Sequence, residues 1–447
     1  MSTEPELPCL NIAGIDEKTY LWSPDVIIPW IRKIKCDETK PSCRRCSDTG
    51  RKCDGYLAQA SVEFKIHAAL RHHGSDSASE RRSLQYFYEY AAPRLSGPRK
   101  PAFWTYFVMQ LSQSEPIVNY SLLAISHLYE AREMRTAPST EPLLALQYYN
   151  AAIKGVKTVQ DQSLVLVVCV LFTCIELLQS NNETAIRHCK HGNQILETYG
   201  SDKYWIRDHL VPVFRRLSVL PLLLGKPPAD SALAHVLRYA VPTRFDNVED
   251  AHSMIDEICR RLMILQHWKR KGTQFDEVKE RNCIGALLQK CRELMDGLDI
   301  DSTSQPNCAS EGPQVLMRMR FHTCQVCFDM LFPVDHGGND EIHIHGFREM
   351  IALASDFNNL RTIRLPRFVF ELAFSPVLFF VVTECKCLEV RLSALRLIKV
   401  LGAEREGLFE SQNLYALGRR KVQTEHGVIL DDFDCPQELV LNSDIEF

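Results

Sequence analysis

Four cysteines, Cys36, Cys43, Cys46 and Cys53, stand at regular intervals in the stretch "RKIKCDETKPSCRRCSDTGRKCDGY", Arg32 to Tyr56. Thiolates are soft ligands, and a closed set of four suits the tetrahedral preference of Zn2+. Cys43 and Cys46, two residues apart, form a chelating pair. The six-residue gaps to Cys36 and to Cys53 are long enough for the chain to fold back on one metal. Arg32, Lys33, Lys35, Lys40, Arg44, Arg45, Arg51 and Lys52 surround them, against Asp37, Glu38, Asp48 and Asp54. Such a local surplus of cations neutralises phosphates and makes binding salt-dependent.

The rest of the chain must position this module. Its 447 residues allow one large domain or two smaller ones with linkers. With 45% hydrophobic and 24% charged residues the composition is that of a soluble globular protein, and a formal charge of −4 leaves nucleic-acid binding to a local patch. The first residues lack a basic segment followed by an apolar one, so no signal peptide is expected, and the 17 cysteines read as mostly free thiols of a reducing compartment. "LVLVVCVLFTCI", Leu164 to Ile175, is too short to span a bilayer and reads as a buried helix; no membrane partner is expected.

Residues 1–29 carry no convincing period, 30–56 hold the partial cysteine module, and 57–82 have linker composition ending in "HHGSDSASE". Residues 83–430 read as a large all-α domain with a polar break near 299–313. Ser114, Glu115 and Pro116 look like a helix opening, and Gly192, Gly200 and Gly225 fall where helices could stop. In the tail, acidic residues alternate with large apolar ones. Over 431–447 this composition suits either a disordered activation segment or the ordinary end of the helical domain.

The cysteine stretch resembles the fungal zinc binuclear-cluster transcription factors, in which six cysteines hold two zinc ions. Its 25 residues match the second two-thirds of the family pattern. The resemblance implies a nuclear regulator of RNA polymerase II genes whose short basic helix enters the major groove at CGG-like triplets of double-stranded DNA. Carried over by position, Arg32 and Lys33 read base edges, Lys35 contacts phosphate, Lys40, Arg44 and Arg45 belong to the same DNA-facing set, and Pro41 turns the loop between the two halves. The helical region is similar to the regulatory domain that follows such clusters, which acts through a co-regulator, a small effector or self-association into a homodimer. No sustained heptad run follows Tyr56 to support pairing.

The family's first two cysteines should stand at 26 and 29, where this chain has Val26 and Pro29. Three readings remain open: residues 1–29 are a misassigned start, the module is degenerate and the chain acts as a helical interaction protein without direct DNA contact, or it works with a single zinc. Two zinc ions are implied for an intact member, one or none for this sequence.

Other candidates are weaker. Cys324 and Cys327, with His322 nearby, read as core thiols rather than metal ligands, and Cys385 and Cys387 likewise, on opposite sides of any helix. His188, Cys189 and His191 are expected near a helix end, in solvated or capping roles. His343 and His345 show no supporting carboxylate or cysteine at useful spacing. Without a phosphate loop, a nucleophile elbow or a paired-histidine metalloprotease motif, no catalytic residue is assigned and the chain is not read as an enzyme.

Overall fold

The computed structural model describes residues 78–134, 141–200, 203–226, 237, 239–298, 308–333, 339–360 and 365–430. The cysteine module, residues 1–56, the tail 431–447 and residues 299–307 of the polar break lie outside the described residues. The expected all-α architecture is observed. Among the described residues, extended structure is limited to three two-residue strands, β1 (Phe368–Val369), β2 (Arg405–Glu406) and β3 (Phe409–Glu410), in the order β1-β2-β3, with β1 parallel to β2 and β2 antiparallel to β3.

The chain enters through α1 (Ala78–Tyr86), a π-turn at Phe87–Ala91 and α2 (Ala92–Leu95). Helix α1 thus opens inside the stretch read as linker, with Ser83 and Leu84 already buried. A second π-turn, Phe103–Phe107, leads to α3 (Val108–Ser114). Next comes α4 (Pro116–Met134), which opens at the expected Pro116, followed by α5 (Glu141–Val156), α6 (Gln162–Leu178) and α7 (Asn182–Tyr199). Asp161 caps α6 by accepting from the Ser163 N–H, and every residue from Ser163 to Leu178 is buried, as its apolar run requires.

Helix α7 stops at Gly200 (φ 72°), but Gly192 is no stop. It sits inside α7 because a Cβ there would lie 2.3 Å from the Phe214 ring, so only glycine permits this approach. His188, Cys189 and His191 are accordingly mid-helix, contrary to their expected place at an end. Cys189 is fully buried and the His188 ring packs edge-on against Phe172.

A π-turn at Ile206–Leu210, α8 (Val211–Leu217) and α9 (Leu220–Leu223) complete this half of the chain. Helix α10 (Val248–Lys271) is opened by an Asn247–Asp250 capping box and closed by the left-handed Gly272. Then follow α11 (Glu277–Asp296), α12 (Cys308–Leu331), α13 (Asn339–Leu360), α14 (Phe374–Glu384), α15 (Leu388–Leu401) and α16 (Ser411–His426). Helix α12 begins at Cys308 and carries Pro313 within it, so the end of the polar break is helical.

The described residues bury two apolar cores. The larger gathers α1 to α9, α13 to α16 and one face of α12; the smaller lies between α10, α11 and the other face of α12. Leu316, Met319 and Val326 enter the first, whereas Met317, Phe321 and Cys324 enter the second. Helix α12 is the shared wall.

Candidate functional site

The candidate ligands Cys36, Cys43, Cys46 and Cys53, the candidate DNA contacts Arg32, Lys33, Lys35, Lys40, Arg44 and Arg45, and the turn residue Pro41 lie outside the described residues. Only donor chemistry tests the metal there. Four thiolates fit one tetrahedral zinc ion, and four cannot complete a two-zinc cluster that uses six.

The helical body contributes a feature that sequence reasoning missed, a charged network buried where the two cores meet. Asp256, on α10, is its centre. Arg99, from the loop after α2, donates to Asp256 Oδ2 at 2.8 Å, and its Nη2 reaches Glu249 Oε1 at 2.5 Å. Arg320 of α12 donates to Asp256 Oδ1 at 2.6 Å. Arg216 of α8 lies 4.0 Å from Asp256 and makes a two-pronged pair with Glu371, both bonds 2.8 Å.

Burial alone would raise the Asp256 carboxyl, but Arg99, Arg320 and Arg216 together hold it well below the usual carboxylate range. His252, one turn earlier on α10, contacts the Pro313 carbonyl at 3.0 Å through Nε2 and faces Arg320 Nη1 at 3.4 Å through Nδ1. Burial, then Arg99 and Arg320, push its pKa well down, so the ring is neutral. The arrangement has Nε2–H donating to the carbonyl and Nδ1 accepting. On the other flank of α10, Glu257 accepts from Arg260 and Arg261, and Arg215 donates to the Leu237 carbonyl at 2.9 Å.

This network is a clamp: Asp256 and Glu249 are engaged by guanidinium groups from other elements, and Arg215 of α8 lies 3.9 Å from Glu257, which fixes α10 against α8, α12 and the loop after α2. Its signal in the sequence was His252 and Asp256 beside the apolar stripe Ala251, Ile255, Ile258 and Leu262, a charged group bordering a face that periodicity buries.

The weaker histidine and cysteine candidates separate. Cys324 lies in the smaller core with Cys327 packed against it, as core thiols do, whereas His322 faces α13, 3.3 Å from Glu349. His345 lies 3.1 Å from the same carboxylate, four residues on, so a supporting carboxylate does exist for it. Cys385 is buried, and Cys387 is the N-cap position of α15, so the two flank the α14–α15 connection rather than oppose each other on a helix. His188 reaches Tyr149 Oη at 3.4 Å and Glu176 at 3.9 Å; burial pushes it down to about 4. Among the described residues no group of three or more His, Cys, Asp or Glu is arranged to hold a metal, and no helix is long and apolar enough to cross a membrane.

Comparison with known proteins bears on the module directly. Residues 31–61 match the model of the fungal Zn(2)-Cys(6) binuclear cluster domain. The chain is similar to the aspercryptin biosynthesis cluster-specific transcription regulator atnN of Emericella nidulans, 30% identical over 206 residues, covering 37% of this chain and 33% of the relative. It is also similar to the transcription regulator lscL of Purpureocillium lilacinum, 26% identical over 204 residues, 39% of this chain and 49% of the relative. The transcription activator AMTR1 of Alternaria alternata is 39% identical over 59 residues, 13% of this chain and 7% of that protein.

The recognition of a zinc binuclear-cluster module akin to those of fungal transcription regulators stands on these matches, and the relatives are regulators, not enzymes. The chain spans about a third and about half of the length of the first two. Since 37% of the chain exceeds the 77 residues before α1, the likeness to atnN reaches into the helical body. No solved structure matches the chain significantly.

Proposed function

We propose that the chain is a zinc-dependent, sequence-specific DNA-binding transcription regulator of RNA polymerase II genes that acts in the nucleus. The observation that carries this reading is the match of residues 31–61 to the zinc-cluster domain. Cys36, Cys43, Cys46 and Cys53 would hold one zinc ion, whose bonds supply the folding energy that so short a segment cannot draw from a core. Arg32 and Lys33 read base edges of a CGG-like triplet, Lys35, Lys40, Arg44 and Arg45 serve the DNA contact, and Pro41 turns the loop between the cysteine pairs. The helical body is the regulatory domain, taking co-regulators or a second copy of the chain, and residues 431–447 are an activation segment.

Zinc analysis of the purified chain and a mobility-shift assay on a CGG-containing duplex, with and without chelator, test it. One zinc per chain and a chelator-sensitive shift are expected. Replacing Lys33 with Ala should cost roughly 1–3 kcal/mol of base discrimination, whereas replacing Lys35 should weaken binding evenly across sequences. Unchanged discrimination in the Lys33 variant removes that residue from the reading role.

A second reading is favoured by Val26 and Pro29 at the positions of the first two family cysteines, upstream of where the match opens. In it the chain is a helical interaction protein with a degenerate cluster. Absence of both zinc and shift selects it.

A further inference from the structure

Helix α16 ends at Gly427, left-handed at φ 63°, and the chain turns back there. Val428 and Leu430 pack against the larger core, and Arg419, two turns before the end of α16, donates through Nη2 to the Leu430 carbonyl. Arg391 of α15 reaches Glu425 of α16 at 2.6 Å, and the Lys399 ammonium lies 4.3 Å from the Tyr415 ring centroid, so α15 and α16 run antiparallel. Arg396 and Arg419 both fall between these two rungs. Helical spacing sets Leu392, Arg396 and Lys399 on the side of the pair that carries Tyr415 and Arg419. Arg396 and Lys399 are exposed, and Val400 beside them is 42% exposed. Leu430 is thus held at the edge of a basic face, and the residues that follow it are Asp431, Asp432, Phe433 and Asp434, in a tail with no Lys or Arg. We propose that residues 431–434 fold back on the α15–α16 face of the same chain as an acidic strap, Asp431, Asp432 and Asp434 meeting Arg396 and Lys399 while Phe433 covers Val400.

Charge complementarity and the tether together select this occupant. Exposed ion pairs are individually weak, so a separate acidic peptide gains little from this face. The strap starts from Leu430, already fixed beside Arg419, and a short tether raises its local concentration to the order of millimolar. A second copy of the chain lacks that advantage. The contact is electrostatic at its rim, and salt screens it. With residues 431–447 read as an activation segment, the docked strap withholds Phe433 from a co-regulator. Only this consequence rests on that reading; the experiment below reads the docking itself, and its failure leaves the activation reading standing.

The test treats the full chain, mixed with an isotope-labelled copy, with a carbodiimide at low salt, which joins a carboxylate to a lysine amine in direct contact, and then digests it with trypsin. The expected product joins peptide 397–405, uncut at Lys399, to peptide 422–447 of the same copy, with fragmentation placing the bond at Asp431, Asp432 or Asp434. Its yield should fall about fivefold or more at high salt and in Arg396→Glu, where the lysine appears in peptide 392–405. Bonds from these aspartates to Lys386 or Lys421 in place of Lys399, bonds only between copies, or no bond in the wild-type chain overturn the proposal, and none of these outcomes depends on a variant folding. An unchanged yield in Arg396→Glu overturns the pairing of charges.

Discussion

The core around α6 and the smaller core between α10, α11 and α12 bury the same kinds of apolar side chain but differ at their borders. Helix α6 is wrapped by α4, α7 and their neighbours, so its 16 residues from Ser163 to Leu178 are enclosed, and its one acid, Glu176, accepts from the Tyr149 hydroxyl at 2.7 Å rather than from a guanidinium. Helix α10 is apolar on one stripe only, and its flanks meet the rest of the molecule through Asp256, Glu257 and the buried or half-buried Arg99, Arg215, Arg216 and Arg320. Apolar contact is non-directional, so the large core specifies that its helices collapse together. Guanidinium–carboxylate pairs are directional, so the border specifies how the second core sits against the first.

Asp256→Ala tests that contrast most severely. It leaves Arg99 and Arg320 buried without their shared carboxylate and should cost about 3–5 kcal/mol in urea unfolding. Removing Asp256 at a cost under about 1 kcal/mol would show that the border does not hold the cores together. Truncating the fully buried Leu171 to Ala should cost about 2–5 kcal/mol with little dependence on salt, as expected of an apolar site. Gly192→Ala should cost about 1–3 kcal/mol, because its Cβ would meet the Phe214 ring and neither α7 nor α8 can withdraw freely.

Acidity separates the two regions more gently. His252 at the border and His188 in the large core are both held below the ordinary histidine value in the folded chain. Their contribution is therefore complete above the unfolded value and is lost as pH falls through it. Thermal unfolding at pH 7 and pH 5 should show a loss on the order of 1–2 kcal/mol for each. The Asp256 contribution has the same sign but is lost only at lower pH, below the ordinary carboxylate value near 3.9.

Glu406 has the opposite sign. Burial pushes its carboxyl up to about 7, against donors from Ala373, Ser375 and Ala403 that favour the charged form. Its contribution is complete below the ordinary value and fades as pH rises toward 7. His252→Gln, which keeps a donor for the Pro313 carbonyl, should reduce the acid loss; an unchanged pH profile would remove His252 from the account.

How much was legible follows from how each element is surrounded. The run Leu164 to Ile175 announced α6 because a helix buried on every side needs apolar residues at every position. Helix α12 gave a mixed pattern because Leu316, Met319 and Val326 serve one core while Met317, Phe321 and Cys324 serve the other. Gly192 read as a stop because the Phe214 ring that demands glycine there comes from another helix. His345 and Glu349 were within reach of inspection, four residues apart, but His322 joins them only through the packing of α12 on α13.

By itself the sequence determined what depends on near neighbours along the chain: the helical periodicity, the caps at Asp161 and Asn247, and a cysteine spacing fit for one zinc ion, since metal chelation and capping act over a few residues. Only the tertiary structure decided that α12 divides two cores and that Asp256 gathers Arg99, Arg216 and Arg320. Those pairings join residues separated by dozens of positions, and which charges meet is settled when the helices pack.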